Sequence, residues 1–167
     1  MPLALTALPR RLAALALALF ALTPALAADG QKIGSVSTAF KMLGPNHKIV
    51  VEAYDDPLVA GVTCYVARAR SGGIKGAVGL AEDRAEASIA CRQVGPVSFR
   101  QPLPRQDEVF SERMSILFKR LRVVRMVDAQ RNVLVYLTYS DKLIDGSPQN
   151  SVAAVPIEPG TPIPLKN

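Results

Sequence analysis

The chain has 167 residues, 49% of them hydrophobic and 20% charged, with a formal net charge of +6, which excludes a disordered or collagen-like polymer. Of its 20 lysines and arginines, Arg10 and Arg11 lie in a separable leader while none of the 14 acids does, so the remainder carries a net +4. That excess suits weak attraction to anionic surfaces but is no nucleic-acid footprint.

The leader comes first. Arg10 and Arg11 precede an apolar run over residues 12–22, which ends in the small-residue pattern Ala25-Leu26-Ala27. This order is that of a secretory signal peptide, and cleavage is expected after Ala27. The run falls short of the roughly 20 residues a spanning helix needs, and no comparable run follows, so the mature chain is expected to have no transmembrane segment. A periplasmic location is the consequence. Residues 1–27 are thus expected to be removed, 28–155 to form one β-rich domain and 156–167 a proline-rich tail.

Beyond the leader the pattern reads as strands. Over residues 33–41, Val36, Thr38 and Phe40 share one parity, the mark of a half-buried strand. A turn over 44–47 leads to a second β-rich run over 48–54, broken by Asp55-Asp56-Pro57. From 62 to 70 the alternation is clean, with Val62, Cys64, Val66 and Arg68 on one face. A glycine-rich loop holds Gly72, Gly73, Gly76 and Gly79, and a short helix is expected over 82–87. Extended character returns over 88–94. The stretch 101–106 reads as a polar loop joining two halves of one sheet system. Residues 113–118 and 121–127 read as strands, 128–132 as a five-residue hairpin loop and 133–139 as the returning strand. The end, 155–167, with its four prolines, is expected to be extended or loose. The sum is a mainly β fold, an antiparallel sheet or β-sandwich with one short helix and a disulfide; an α+β arrangement is the alternative.

Cys64 and Cys91 are the two cysteines. An even count in an exported chain predicts a structural bond, which in the chain-entropy account contributes about 3 kcal/mol. A redox-active pair is the competing reading, weakened by the absence of a CxxC spacing.

Several segments resemble the CreA family of exported bacterial proteins. They include Ile33-Gly34-Ser35-Val36-Ser37-Thr38, His47-Lys48-Ile49-Val50-Val51-Glu52-Ala53, Val62-Thr63-Cys64-Tyr65-Val66 and Gly72-Gly73-Ile74-Lys75-Gly76. Gly79-Leu80-Ala81-Glu82-Asp83, Gln93-Val94-Gly95-Pro96, Val123-Val124-Arg125, Tyr139-Ser140-Asp141-Lys142, Gly146-Ser147-Pro148 and Ala154-Val155-Pro156 continue the likeness in order. Departures are small: Tyr54, Met126 and Gln149 stand where the family has phenylalanine, an aromatic residue and lysine. The resemblance implies a name drawn from catabolite regulation and an association with a two-component regulatory gene cluster. It implies no settled activity, cofactor or catalytic residue.

Candidate chemistry is sparse. His47, the single histidine, sits in a turn without a GxSxG elbow and reads as a surface residue. The loop around Lys75 matches neither phosphate-binding glycine motif, although Lys75 on so yielding a backbone is a candidate contact for an anionic ligand. Asp55 and Asp56 are adjacent, poor geometry for an acid/base pair, and read as turn initiators before Pro57. Ser140-Asp141-Lys142 lacks the SxxK partner of a penicillin-binding signature and reads as a strand-end turn. Residues 119–125 are the densest positive patch; in a strand Arg120 and Arg122 point together, and the Val123-Val124 step suggests a bulge or burial on both faces.

The expectation is therefore a periplasmic binding or accessory protein of the cell envelope without catalysis, cofactor, metal or nucleic-acid partner. Lys75, Arg120 and Arg122 are its candidate contacts for an anionic envelope component or small molecule. A thiol-linked stress factor, or a hydrolase without a recognisable motif, is the competing class.

Overall fold

The computed structural model describes residues 30–40, 42–73, 87–113, 120–141 and 149–167. Eight strands follow in chain order: β1 (Gln31–Ala39), β2 (His47–Asp55), β3 (Val59–Arg70), β4 (Ala87–Phe99), β5 (Gln106–Arg113), β6 (Arg120–Asp128), β7 (Val133–Ser140) and β8 (Asn150–Pro156). They form two four-stranded antiparallel meanders, β1-β2-β3-β4 and β5-β6-β7-β8, with every strand beside its sequence neighbour. The fold is mainly β. Among the described residues there is no helix; the one expected over 82–87 falls outside them except for Ala87, which opens β4.

Alternation explains most of the core. Val62, Cys64 and Val66 of β3, Ile89 and Cys91 of β4, Leu121 and Val123 of β6, and Leu134 and Tyr136 of β7 are buried together. Tyr54 of β2 stacks on Phe110 of β5, ring centroids 4.0 Å apart, and so locks the two sheets face to face. The 100–105 connection crosses from one sheet to the other. Leu103 is wholly buried there, its amide donating to the Pro164 carbonyl at 2.8 Å and its own carbonyl accepting from Lys166 at 2.8 Å. The proline-bearing end is thus extended and tied down, with Ile157 buried in the core.

Four strands depart from the sequence reading. β1 is a strand as expected but is not half-buried: nearly all of it is exposed on both faces. The reason is geometric. β5, the outer strand of the second sheet, meets β2 through Tyr54, Phe110 and Glu112, and among the described residues no strand lies opposite β1. β5 itself covers 106–113: the sequence reading ends the polar loop at Gln106, assigns nothing to 107–112 and starts a strand at 113, of which 114–118 lie outside the described residues. Its charged residues and a register shift between Glu108 and Phe110 hide the period of two. That shift sits opposite Val123 and Val124, but its extra residue, Val109, belongs to β5 rather than to the basic strand; Val124 is buried on the outer face, so β6 is buried on both sides at this step. β8 passed unread because it is a short, alanine-bearing edge. β4 runs on through Gly95-Pro96, where an edge strand tolerates a missing donor. Across from it, Gly61 adopts φ +79° at a second register shift, and a Cβ there would sit 2.4 Å from the Pro96 carbonyl oxygen, so only glycine fits.

The meanders give the sandwich two ends. One carries the β2–β3, β4–β5 and β6–β7 turns and the chain beyond β8. The other carries the β1–β2 connection, the ends of β3, β5 and β7 and the starts of β4, β6 and β8.

Candidate functional site

Cys64 and Cys91 face each other directly across β3 and β4 and are joined by a disulfide, with Cα atoms 3.9 Å apart. Both side chains are buried, so no thiol chemistry is on offer to solvent while the strands stay paired. The bond ties together the two strands that the glycine-rich connection joins.

The basic strand is positioned as alternation predicts: Arg120 and Arg122 lie on the outer face of β6, while Leu121 and Val123 point inward. Their chemistry differs. Arg122 grips Asp141 through Nε (2.9 and 3.1 Å) and Glu108 through Nη1 (2.5 Å), and these hydrogen bonds, Glu108 first, raise its pKa further. Its charge is therefore spent within the sheet, whereas Arg120 is exposed. Lys75 lies outside the described residues.

His47 does more than fill a turn. Its Nδ1 accepts a hydrogen bond from the Gly72 amide at 2.8 Å, and the Gly73 amide donates to the Pro45 carbonyl at 2.6 Å. The start of the glycine-rich connection is thereby pinned to the β1–β2 hairpin. A side chain at Gly72 would drive its Cβ to 2.0 Å from the Pro45 oxygen.

Asp56 is the turn initiator expected, its Oδ1 accepting from the Leu58 and Val59 amides at 2.8 and 3.0 Å. Sequence reasoning missed its second role. It forms a fully buried ion pair with Arg125 of β6 (2.6 and 2.8 Å) and accepts from the Tyr136 hydroxyl at 2.8 Å. Burial, then the Asp56 charge, pushes the Tyr136 hydroxyl pKa up. Asp55 accepts from the Thr63 hydroxyl. Ser140 ends β7 as a buried residue, Asp141 serves Arg122, and Lys142 lies outside the described residues.

A second buried arginine occupies the other end of the interior. Arg68 of β3 is paired with Glu52 of β2 and with Glu112 of β5, and the latter also receives Arg70 at 2.9 Å and the Tyr54 hydroxyl at 2.7 Å. Burial alone would raise the Glu112 pKa, but hydrogen bonds from Arg68 and Tyr54 outweigh it and hold the carboxyl below its ordinary value. Burial, reinforced by Glu112, raises the Tyr54 hydroxyl. The signal for both arginines was in the alternation, since Arg68 shares the parity of Val62, Cys64 and Val66, and Arg125 that of Leu121 and Val123.

Beside Arg68 lies a cleft of about 460 Å³ between Ala67–Ala69 of β3, the start of β4 at Ala87 and Ser88, and Gln149–Ser151 at β8. Arg68 Nη1 and the hydroxyls of Thr138 and Ser140 are buried at this end without a hydrogen-bond partner among the described residues. Thr138 pairs in register with Ser151 of the cleft wall. The arrangement offers polar recognition rather than a nucleophile–base pair. Among the described residues no group of three or more His, Cys, Asp or Glu side chains is placed to hold a metal, and no helix is long and apolar enough to cross a membrane.

No solved structure matches the chain. The family model described as CreA protein matches residues 33–160. Protein CreA of Escherichia coli strain K12 is 55% identical over 136 residues, covering 79% of this chain and 87% of that protein, and the same figures hold for Protein CreA of strains O6:H1 and O157:H7. The aligned span takes in both disulfide strands and both buried arginines, and the chain belongs to the CreA family.

Proposed function

We propose that this CreA-family chain is exported to the periplasm and acts there as a non-catalytic binding or accessory protein of the cell envelope. Residues 1–27 are removed as a signal peptide, 28–155 form the working domain and 156–167 are its tail. The observation that carries the reading is the core disulfide: Cys64–Cys91 joins two buried, paired strand positions, a bond that forms and persists in an oxidising compartment. The leader at Arg10 and Arg11 and the Ala25-Leu26-Ala27 pattern point the same way.

The buried charges support binding over catalysis, because Glu52, Glu112 and Asp56 are each engaged by a buried arginine. Binding falls at the end of the sandwich that carries the cleft beside Arg68 and the exposed Arg120, with Lys75 on the connection that leaves Gly73. Arg122, neutralised by Glu108 and Asp141, supports its strand neighbours instead. An anionic envelope component or small molecule is the partner class. Cell fractionation with intact-mass measurement tests the reading: the expected product is periplasmic, lacks residues 1–27 and carries no free thiol. Cytosolic protein with an intact leader and two free thiols would overturn it. A bond readily reduced and reoxidised in the folded protein would favour the thiol-linked alternative.

A further inference from the structure

Among the described residues the β1–β2 hairpin gathers most of the exposed large apolar side chains, with Val94 and Val152 exposed elsewhere. Phe40, Met42 and Leu43 in the connection are 83%, 93% and 74% exposed, and Val36 and Ile33 on β1 are 69% and 56% exposed. Val36 pairs with Ile49, itself 43% exposed, so the apolar surface continues onto β2. A patch of this kind marks an interaction surface rather than chance exposure. Its base is firm, since His47 and Pro45 are hydrogen-bonded to Gly72 and Gly73.

Charge selects the partner. Around the tip, from Ala39 to Val51, the sequence holds Lys41 and Lys48 and no aspartate or glutamate, while Lys32 lies at the far end of β1 opposite Glu52. A second copy of this chain would bring like charges together around its own apolar tip, which opposes self-association. Addition of a partner strand to the open edge of β1 is opposed by two register shifts, between Lys32 and Gly34 and between Ser37 and Ala39, which break the regular ladder an incoming strand needs. An apolar loop tip whose sequence carries lysines and no acids matches instead the boundary of an anionic bilayer, where apolar side chains enter the acyl region and ammonium groups meet phosphates.

We infer that the β1–β2 hairpin, with Phe40, Met42 and Leu43 at its tip, docks this protein on an anionic lipid surface. The inference deepens the envelope reading above, which supplies the bilayer, and places the contact on residues other than Lys75, Arg120 and Arg122. Lipid contact is interfacial: the tip is too short to cross, and the fold stays outside.

Vesicle co-sedimentation of the purified, disulfide-bonded protein tests the docking directly. Vesicles of phosphatidylethanolamine with phosphatidylglycerol should bind it, and phosphatidylcholine vesicles should bind it far less. Phe40→Ser with Leu43→Ser should lower the partition about tenfold, and Lys41→Gln with Lys48→Gln should lower it and flatten its salt dependence. Because Phe40 and Leu43 are exposed, the serine variant should keep the wild-type melting midpoint, which separates lost docking from lost folding. The inference is overturned if the wild type ignores anionic vesicles or if the serine variant binds them as well. It is equally overturned if the serine substitutions convert a wild-type dimer to a monomer while vesicle binding is unaffected, since the tip is then a contact between copies. The assay does not depend on where the cell puts the protein, so its failure leaves the fractionation result standing.

Discussion

The two ends of the sandwich each bury an arginine, and they answer its charge in opposite ways. At the turn end Arg125 meets Asp56, both side chains essentially inaccessible, with Tyr136 as a further donor and Leu103 and Ile157 packed in the same core. At the cleft end Arg68 is equally buried, but its carboxylates are Glu52 and Glu112, the second about one-third exposed and shared with Arg70 and Tyr54. One pair is tight and deep, its arginine otherwise reaching Asp107 at a longer 3.6 Å; the other is a network with a wet edge. A deep pair has little to replace a lost partner, whereas a network can redistribute. The contrast predicts that stability is concentrated at the turn end and that the cleft end can change its surroundings at modest cost.

The largest effect should follow Asp56→Ala. It leaves buried Arg125 with the longer 3.6 Å contact to Asp107 in place of its tight pair and also removes the acceptor for the Leu58 and Val59 amides, and a loss of about 3–5 kcal/mol is expected from urea unfolding. Adding Arg125→Met to that variant should recover part of the loss, because the remaining poorly compensated charge goes with it. If Asp56→Ala cost no more than a surface substitution, the turn end would not be where stability is concentrated.

Glu112→Gln should cost less, about 1–3 kcal/mol, since Arg68 retains Glu52. Its pH dependence gives a sharper reading. The folded state holds the Glu112 pKa below its unfolded value, so the stabilisation is full above the ordinary carboxylate range and is lost as pH falls through the depressed folded value. The gap between wild type and Glu112→Gln should therefore be constant near neutrality and shrink in acid, below about pH 4. A gap that widened in acid would contradict the assigned pairing.

Much of this contrast was present in the chain's alternation, yet it was only partly legible. The inward parity of β3 showed that an arginine followed Val62, Cys64 and Val66, but not which carboxylates would reach it: Glu112 lies in β5, where charged residues and the displaced Val109 obscured the strand altogether. Asp56 announced its turn through Pro57, a local signal, while its partner is 69 residues away on another sheet. β1 was recognisable as a strand, but half-burial depends on what lies opposite, and nothing in residues 31–39 records that the second sheet stops at β5. Local chemistry was readable where neighbours in sequence set it; pairing across sheets was not.

Asn132→Gly tests how firmly the chain beyond β8 belongs to the turn end. The Asn132 side-chain amide donates to the carbonyls of Ile157, Glu158 and Thr161, and its oxygen accepts from the Ile163 amide at 3.0 Å. Glycine keeps the φ of 54° without strain, so only these bonds are removed. A loss of about 1–2 kcal/mol is expected, together with faster amide exchange at Ile157 and Ile163. Unchanged exchange there would mean that Leu103, buried Ile157 and the Ile157–Asn132 backbone bond hold the segment without that side chain.

The smallest effect should come from the outer face of the cleft end. Arg122 of β6 joins Glu108 of β5 to Asp141 just beyond β7, a pattern that looks structural on paper. All three side chains are about one-third exposed, however, and water and salt screen such contacts well. Arg122→Gln should move the melting midpoint by no more than about 2 °C, and high salt should erase even that difference. A larger, salt-resistant loss would show that the cleft end is held from its outer face as well as by Arg68. The network around Glu112 would then be one of two supports, and the distinction between a tightly paired end and an adaptable one would weaken accordingly.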